Sequence, residues 1–357
     1  MATTIQVNKA ALAETRAVDA PLPPLADGAV RLKVESFAVT ANNVTYAVIG
    51  DMFGYWNFFP APEGWGVVPM WGHGVVEASN CAGIEVGERV YGYLPMGSHV
   101  DVQPQDISAG QFRDATAHRQ PMAIFYNLYS RLAADPEHDA AHENERMIFG
   151  PLFKTGFLIA AMFVREGWYG AEQAVLTSAS SKTALALASS MRDAAPQIAR
   201  IGLTSARNVD FVKSSGLYDQ VLSYDEMASL PQRPSVSVDF AGNAAVLRAV
   251  HEGLGAHLKY SCTVGATHVD ARGGSGDPLP GPTPTLFFAP TEAADAIKAL
   301  GPKGFGEVVG AAWINFLGAV KGTIRTDQRD GLDAAASAYR DTLAGVADPA
   351  AGIVVRV

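Results

Sequence analysis

The chain has 357 residues, of which 48% are hydrophobic and 18% charged, a composition typical of a folded protein with a soft expectation of two domains. Its formal net charge of −9 disfavours nucleic acid as a partner, because binding to phosphates requires a basic face. The two cysteines, Cys81 and Cys262, are too few for a four-cysteine zinc lobe and too far apart in sequence to suggest a disulfide framework.

The N-terminus, MATTIQVNKA, has no apolar stretch of the kind found in a secretory signal peptide. The longest apolar run, near residues 157–164, is too short to cross a bilayer. The sequence therefore predicts a cytoplasmic protein that does not bind a membrane.

The first third of the chain has the pattern of short strands. Residues 29–37 alternate, with Val30, Leu32 and Val34 on one face, which predicts a half-buried strand. Glycine and proline punctuate the following sequence heavily, so we expect a compact β barrel or roll. The charged segment 135–146 predicts an exposed loop or a solvated helix.

From about residue 150 the pattern changes to strands that alternate with helices. Strands are predicted at 174–177, 198–203, 220–222, 235–240, 257–264 and 285–288. Helices are predicted at 156–166, 181–192, 208–215, 244–254 and, for the most part, 291–320. This alternation predicts an α/β fold with a doubly wound parallel sheet. Residues 271–284 predict a loop, and a helix near 332–343 and a strand at 353–357 end the chain.

The segment 174–188 is the most informative one. It predicts a buried strand, a tight turn of small polar residues and then a helix. In an α/β sheet, the phosphates of a nucleotide bind at such a junction. The segment therefore raises the question of whether a dinucleotide binds there.

Several segments have the order and spacing of one enzyme superfamily. They are residues 40–50 with Tyr46, residues 83–92 (GIEVGERVYG), Lys154-Thr155-Gly156, residues 238–242 (VDFAG), Thr263-Val264-Gly265 and the tail 322–357. Together they resemble the medium-chain dehydrogenase/reductase superfamily, nearest its zinc-free quinone-reductase branch. The resemblance covers most of the chain and suggests a divergent member.

The resemblance implies a two-domain α/β protein. A GroES-like substrate domain would span residues 1–145 and be completed by 321–357. A Rossmann-type dinucleotide-binding domain would span 146–320, with the active site in the cleft. The resemblance also suggests a homodimer through the outer strand near 285–288, since an exposed sheet edge favours pairing.

The phosphate turn departs from the superfamily's pattern. Ala179, Lys182 and Leu185 align with three glycines that normally allow a tight turn and close approach to the pyrophosphate. Leu185 would hold the helix further from its strand. Two interpretations stay open. Either a serine caps the helix and the turn binds phosphate with help from Lys182 or Thr183, or the serines only cap the helix and Lys182 is solvated.

The end of the second strand favours NADP (NADPH) over NAD. No carboxylate stands there to hold the adenosine ribose. Thr204, Ser205 and Arg207 could bind a 2′-phosphate instead, although Arg207 could also begin an ordinary solvated helix. Tyr218 would stack near the adenine or serve in packing. The predicted cofactor-binding residues are Thr155, Ser178, Ser180, Ser181, Lys182, Thr183, Thr204, Ser205, Arg207, Tyr218, Ala241, Gly242 and Gly265.

The residues that hold zinc in alcohol-dehydrogenase relatives are not matched. His73 aligns with a zinc ligand, but Gly74 replaces the glutamate that should follow, and no cysteine stands near residue 40. A catalytic zinc needs three protein ligands, so we expect no metal and a structural His73. His138 and His142 have helical spacing but no obvious third ligand, which favours surface positions.

Without a metal, hydride transfer needs positioning and a donor for the developing oxyanion. The resemblance makes Tyr46 the first catalytic candidate. Asn43 would orient the nicotinamide amide or the substrate carbonyl, and Lys154 would supply a proton or stabilise negative charge. A structural hydrogen bond is the alternative for each. Residues 52–71 are dense in aromatics and predict a wall or lid over an apolar or aromatic substrate, or else a packing or dimer surface.

Two functions from different classes remain. The first is a zinc-independent, NADP-dependent oxidoreductase that transfers hydride between nicotinamide and a quinone, enone or other carbonyl compound. The second is a non-catalytic binding or scaffold protein that keeps the fold with a degenerate cofactor site, which the three missing glycines favour. A weaker third possibility is an enzyme that uses the cleft without a dinucleotide.

Overall fold

A computed structural model describes residues 1–240, 242–264 and 278–357. The chain forms two compact units. The first, called the β unit here, comprises Met1–Ile148 and Thr326–Val357, and the second, the parallel-sheet unit, comprises Phe149–Arg325. The candidate residues Ala241 and Gly265 and residues 271–277 of the expected loop lie outside the described residues.

The chain begins with strands. These are β1 (Ala2–Asn8), β2 (Ala11–Ala20), β3 (Val30–Val39), β4 (Trp65–Gly66), β5 (Pro69–Ser79), β6 (Arg89–Pro95), β7 (His99–Val102), β8 (Pro104–Gln105), β9 (Gln111–Asp114) and β10 (Leu128–Arg131), with helix α1 (Ala41–Val48) between β3 and β4. There follow α2 (Glu143–Arg165), β11 (Gln173–Leu176), α3 (Lys182–Ala194), β12 (Ala199–Thr204), α4 (Val209–Ser214), β13 (Gln220–Ser223), β14 (Ser235–Asp239), α5 (Ala244–Leu254), β15 (Leu258–Thr263), β16 (Thr285–Leu286) and α6 (Ala289–Val320), which is kinked at Gly301. The chain ends with β17 (Arg325–Asp330), α7 (Leu332–Leu343) and β18 (Ala351–Arg356).

The β unit consists of a three-stranded sheet and a larger sheet of nine strands. The larger one has the order β17-β18-β3-β5-β6-β10-β9-β8, with β7 also paired to β3. Val30, Leu32 and Val34 of β3 are fully buried, which confirms the half-buried strand predicted from their alternation. The C-terminal strand β18 returns to pair antiparallel with β3.

The charged segment 135–146 is less solvated than its composition suggests. Arg146 is buried and donates to Asp135 at 2.6 Å. Glu143, at the start of α2, accepts two hydrogen bonds from Arg89. The segment is therefore exposed only in part: Glu137 and Asp139 are exposed as expected, whereas ion pairs allow Arg146 and Asp135 to be largely buried.

Helix α2 begins well before the apolar run from which a helix was predicted. The segment Ala140–Arg165 is long and apolar enough to cross a membrane, with a hydropathy of 1.8 over its most apolar window. However, 61% of that window is buried inside the protein, and the core helix of a soluble protein passes the same test. At Gly156 an added Cβ would lie 2.6 Å from the Leu187 nitrogen, so α2 packs closely on α3.

The sheet of the second unit has six parallel strands in the order β13-β12-β11-β14-β15-β16. The chain therefore moves outward in one direction from β11, then returns to add β14 on its other side. This is the doubly wound order of a Rossmann sheet, as predicted. Ligands of such sheets bind at the carboxyl ends of the strands where the order reverses, which here is the edge between β11 and β14.

Candidate functional site

A threonine and an aspartate join the two strands at this reversal. Thr177 follows β11, and its hydroxyl donates to the carboxylate of Asp239 at the end of β14 over 2.5 Å. Both side chains are buried. The other carboxylate oxygen of Asp239 accepts from the backbone nitrogen of Gly242 at 2.9 Å, so this carboxylate contacts both Thr177 and Gly242.

The turn after Thr177 is held by neighbouring residues. Ser178 has a φ of +47°, in the left-handed region that favours glycine, and its amide donates to the Tyr224 hydroxyl at 3.0 Å. The Ala179 amide donates to the carbonyl of Leu203 at 3.0 Å. The Tyr218 hydroxyl donates to the Ala179 carbonyl at 2.9 Å. Three long-range hydrogen bonds thus hold a backbone that usually depends on glycine.

The space for this turn comes from the adjacent strand. A Cβ added to Gly202 of β12 would lie 3.0 Å from the Cβ of Ala179 and 2.9 Å from the ring of Tyr218. Both contacts are tighter than side chains normally tolerate. The glycine that allows a close approach is therefore on β12 rather than in the turn.

Hydroxyl groups surround the start of α3. Ser181 is the N-cap, and its Oγ accepts from the Ala184 amide at 3.2 Å. The Oγ of Ser180 accepts from Asn208 Nδ2 at 3.1 Å. Each of the two serines therefore accepts a hydrogen bond from the protein, and neither donates its O–H to another of the described residues. With the helix N-terminus, where the macrodipole favours negative charge, this donor set suits an anion.

The remaining candidates of this unit lie at the same edge or in the first turn of α3. Lys182 and Thr183 begin α3 and are half-exposed. Thr204, which ends β12, is buried. Ser205 precedes a short 3₁₀ turn, Ala206–Asn208, in which Arg207 is exposed.

Tyr218 is used for packing in this structure. Its ring lies against Gly202, its hydroxyl is bonded to the turn, and burial raises its pKa above the ordinary value. These contacts support the packing interpretation over adenine stacking. Thr155 likewise uses its hydroxyl within α2, where it donates to the Pro151 carbonyl at 2.9 Å. Lys154 precedes it on the same helix and is half-exposed.

In the β unit, Asn43 and Tyr46 both lie on helix α1, but their side chains have different environments. The side chain of Asn43 accepts from the Thr40 amide at 2.7 Å and donates to the Pro69 carbonyl at 2.8 Å, which supports its structural interpretation. The Tyr46 hydroxyl accepts from Asn42 Nδ2 at 2.6 Å and from Trp71 Nε1 at 3.1 Å. Two donors are therefore aimed at its oxygen, so its own proton points elsewhere. The Tyr93 hydroxyl lies nearby and also interacts with it.

Tyr46 belongs to a buried aromatic cluster. Its ring centroid lies 4.5 Å from that of Tyr55, 5.4 Å from that of Tyr93 and 6.3 Å from that of Tyr126. Burial raises the pKa of Tyr46 above the ordinary value of a phenol. The hydroxyl therefore stays protonated at neutral pH and acts as a hydrogen-bond donor.

The loop of residues 52–71 supplies much of this cluster. Tyr55, Phe58 and Phe59 are each at most 6% exposed, as core residues are. Trp56 is equally buried but packs in the separate core that includes Val68. The Phe58 carbonyl accepts from Arg119 Nε at 3.1 Å. Arg119 is in turn paired with buried Asp114 at 2.6 Å. In this structure the aromatics are therefore packed as a core, and the pair of Arg119 and Asp114 anchors the loop through the Phe58 carbonyl.

His73 is the residue that the sequence analysis aligned with a zinc ligand. It is completely buried, and neither ring nitrogen has a hydrogen-bond partner among the described residues. Burial lowers the pKa of His73 to about 4, so the imidazole is neutral. Within residues 1–240, 242–264 and 278–357, no three His, Cys, Asp or Glu side chains are arranged to hold a metal ion. His138 and His142 instead contact the carboxylates of Glu143 and Asp139.

Sequence reasoning missed Tyr224 and Asn208. Tyr224 directly follows β13, and Asn208 lies in the 3₁₀ turn after β12. Both residues follow the carboxyl end of a parallel strand, and this position could have identified them, because the carboxyl ends of parallel strands meet at one edge of the sheet. The missing information was which side chains turn back toward the segment after β11.

A family model described as "Protein of unknown function (DUF2855)" matches residues 37–348. No curated protein matches the chain. Among solved structures, CurA from Vibrio vulnificus in complex with NADPH is 14% identical, with a TM-score of 0.61 and 99% of each chain covered. A mycobacterial protein complexed with NADPH is 15% identical, with a TM-score of 0.55 and full coverage of both chains. The quinone oxidoreductase of Pseudomonas syringae pv. Tomato DC3000 is 13% identical, with a TM-score of 0.57 and full coverage of both. The chain thus shares the fold of these proteins, with an antiparallel β unit and a doubly wound parallel-sheet unit.

The space over Gly202 can be tested by filling it. Gly202→Ala places a methyl against Tyr218 and Ala179 and is expected to cost about 1–3 kcal/mol of unfolding free energy, as overpacking does. Urea unfolding followed by circular dichroism measures this. Gly306→Ala is the matched control, because an added Cβ there meets nothing within 4 Å and alanine favours the helix. Equal effects of the two substitutions would contradict the packing argument.

His73 should make stability depend on pH in an identifiable window. The folded protein keeps this imidazole neutral down to about pH 4, whereas the unfolded chain takes up the proton near 6.5. The free energy of unfolding should therefore fall as the pH decreases from 6.5 to 4, by up to about 1.4 kcal/mol per pH unit. His73→Leu is expected to flatten the curve in this window, as measured by urea unfolding at several pH values. An unchanged slope would show that His73 is not the cause.

Proposed function

The chain belongs to the DUF2855 family, and we propose that it is a zinc-independent, NADPH-dependent oxidoreductase. It would transfer hydride between nicotinamide and a quinone, enone or other carbonyl compound. The observation that carries the proposal is the serine-capped turn at the point where the order of the parallel sheet reverses. Residues 146–320 would form the cofactor domain, and residues 1–145 with 321–357 the substrate domain.

The donors at the sheet edge fit a dinucleotide phosphate. Ser180 and Ser181 each keep an O–H to donate, and the N-terminus of α3 favours an anion. Arg207 lies after β12, where no carboxylate would repel a 2′-phosphate, and its planar guanidinium suits that group. Two proteins of the same fold are described in complex with NADPH. When bound, the reduced nicotinamide supplies a hydride.

Tyr46 is the proposed donor to the substrate oxygen. Asn42 and Trp71 occupy the acceptor positions of its hydroxyl, which leaves the phenolic proton for an external acceptor. Burial keeps the phenol protonated. A donor held in this way stabilises the negative charge that develops when a carbonyl or enone is reduced, without reorganising during the reaction. Asn43 would position α1, and Lys154 remains a proposed second stabiliser of charge.

Zinc independence is proposed from the chemistry of the available ligands. Zinc at a catalytic site needs three protein ligands. Next to His73 stands Gly74 instead of a carboxylate, and the segment near residue 40 has no cysteine. The substrate site would be lined by the aromatic cluster around Tyr46, which favours small apolar or aromatic carbonyl compounds and quinones.

We also propose a cytoplasmic homodimer. Within residues 1–240, 242–264 and 278–357, the short strand β16 pairs only with β15 and ends the sheet order, which leaves its outer edge for a second strand. Leu286 on this strand is 54% exposed, which fits a surface that a partner would cover. Sedimentation velocity of the purified protein measures the mass of the particle in solution, which should be that of two chains.

A non-catalytic binding or scaffold protein is the alternative. It is favoured by the hydrogen bonds within the turn, because the Ser178 and Ala179 amides already have acceptors in the protein. If these bonds are permanent, the turn offers phosphate fewer amides than a glycine-rich turn does. The two functions are separated by turnover, since a scaffold reduces no member of a quinone and enone panel.

Cofactor binding is tested by fluorescence titration with NADPH and NADH. We expect saturable binding that is tighter for NADPH. Arg207→Ala should weaken NADPH binding about tenfold, as the loss of a hydrogen bond to a charged group does, and leave NADH binding unchanged. Lys303→Ala removes an exposed cation of the same unit and serves as the control. Absence of binding at millimolar NADPH would remove the oxidoreductase proposal.

The role of Tyr46 is tested by Tyr46→Phe in steady-state turnover with NADPH and a quinone and enone panel. Loss of the oxyanion donor should lower kcat about 10²-fold or more, with the affinity for NADPH unchanged. Tyr339→Phe is the matched control, because it removes another buried hydroxyl of the β unit that has no partner among the described residues. Circular dichroism verifies folding, since Asn42 and Trp71 lose an acceptor. Full activity of a folded Tyr46→Phe variant would exclude this role.

A further inference from the structure

The parallel-sheet unit contains a groove that the proposed reaction does not use. It has a volume of 440 Å³ and lies between α2, α3 and α6. Its walls are mainly apolar and small, with contributions from Phe157, Ala160, Ala161 and Val164 of α2 and from Ala312 of α6. The groove meets the C-terminal half of α3, whereas the proposed phosphate turn is at the N-terminal end of that helix. Volumes of this order are typical of small-molecule sites.

One polar group in the groove lacks a partner. Ser190 lines it and is only 8% exposed, yet its hydroxyl oxygen has no hydrogen-bond partner among the residues that the structure describes. A serine within a helix commonly donates to the carbonyl four residues earlier, and Ser190 does not. Buried hydroxyls are nearly always hydrogen-bonded, so this one is explained if a ligand supplies the missing partner.

The charges at the rim are already balanced within the protein. Arg165 donates to Glu166 and to Glu292, each at 2.9 Å. Asp193 accepts from Arg192 at 3.4 Å. Neither side chain needs an external counterion, and the wall contributes no further charge. A charged ligand would therefore lose its hydration without gaining an ion pair.

From these features we infer that the groove binds a neutral, mainly apolar small molecule with one carbonyl or hydroxyl group. The apolar walls take the body of the molecule. The Ser190 hydroxyl is buried beneath this wall in the free protein and would turn toward the groove to form a hydrogen bond with the polar group of the ligand. The site is separate from the proposed cofactor turn and does not depend on the oxidoreductase function.

The probe for this site is 6-propionyl-2-dimethylaminonaphthalene, a neutral aromatic ketone whose emission shifts to the blue in apolar surroundings. We expect saturable binding to the full chain. Ser190→Ala should weaken it about two- to tenfold, as the loss of one hydrogen bond does. The same substitution should not change binding of 2-dimethylaminonaphthalene, which lacks the carbonyl.

A second pair of variants locates the binding. Ala161 is exposed on α2 within the groove, so Ala161→Trp fills the groove without entering the core and should abolish the blue shift. Ala311→Trp, at an exposed position of α6 that does not line the groove, should leave it intact. Unfolding curves establish that both variants are folded.

Three outcomes would overturn the inference. The first is undiminished binding to Ala161→Trp, which would place the probe elsewhere, including in the aromatic cluster. The second is a Ser190→Ala affinity equal to that of the wild type. The third is the loss of a dimer in Ala161→Trp by sedimentation velocity, which would make the groove an interface between two copies of the chain.

Discussion

The absence of a side chain at Gly202 is the constraint on which the candidate cofactor site depends. The methyl of Ala179 and the ring of Tyr218 both occupy the space that a side chain on β12 would need. Their packing there brings the segment after β11 close to the sheet edge, although the turn itself has no glycine. The hydrogen bonds from Ser178 to Tyr224 and from Tyr218 to Ala179 then hold a backbone that includes a left-handed serine. Rigidity from neighbours thus replaces the conformational freedom of glycine.

In the β unit, a buried ion pair likewise holds an irregular segment in place. Its aromatic loop is rich in proline and glycine. Arg119, which is paired with Asp114, donates to the Phe58 carbonyl and so anchors the loop. The result is a cluster of phenols that burial keeps neutral, in which Tyr46 alone receives hydrogen bonds from both Asn42 and Trp71. As the proposed substrate site, this cluster would suit neutral substrates, because a charged one would be desolvated without a counterion.

The predictions from sequence succeeded where the pattern is periodic and local. The alternation around Val30 and Leu32 identified β3, and the alternation of strands and helices identified the parallel sheet. They failed where long-range pairing decides. Arg146 is buried because Asp135 pairs with it, and its charge alone indicated solvent. Tyr224 escaped notice because its contact with Ser178 spans 46 residues.

The sequence by itself determined the fold class, the place of the turn, the serine cap of α3 and the lack of zinc ligands beside His73. These depend on residue type, periodicity and neighbouring positions, which the chain shows directly. Only the tertiary structure decided that Gly202 makes room for Ala179, that Tyr46 accepts two hydrogen bonds, and that Ser190 lines an apolar groove without a partner. The physical reason is that space and hydrogen-bond partners come from residues far away in sequence, and only folding brings them together.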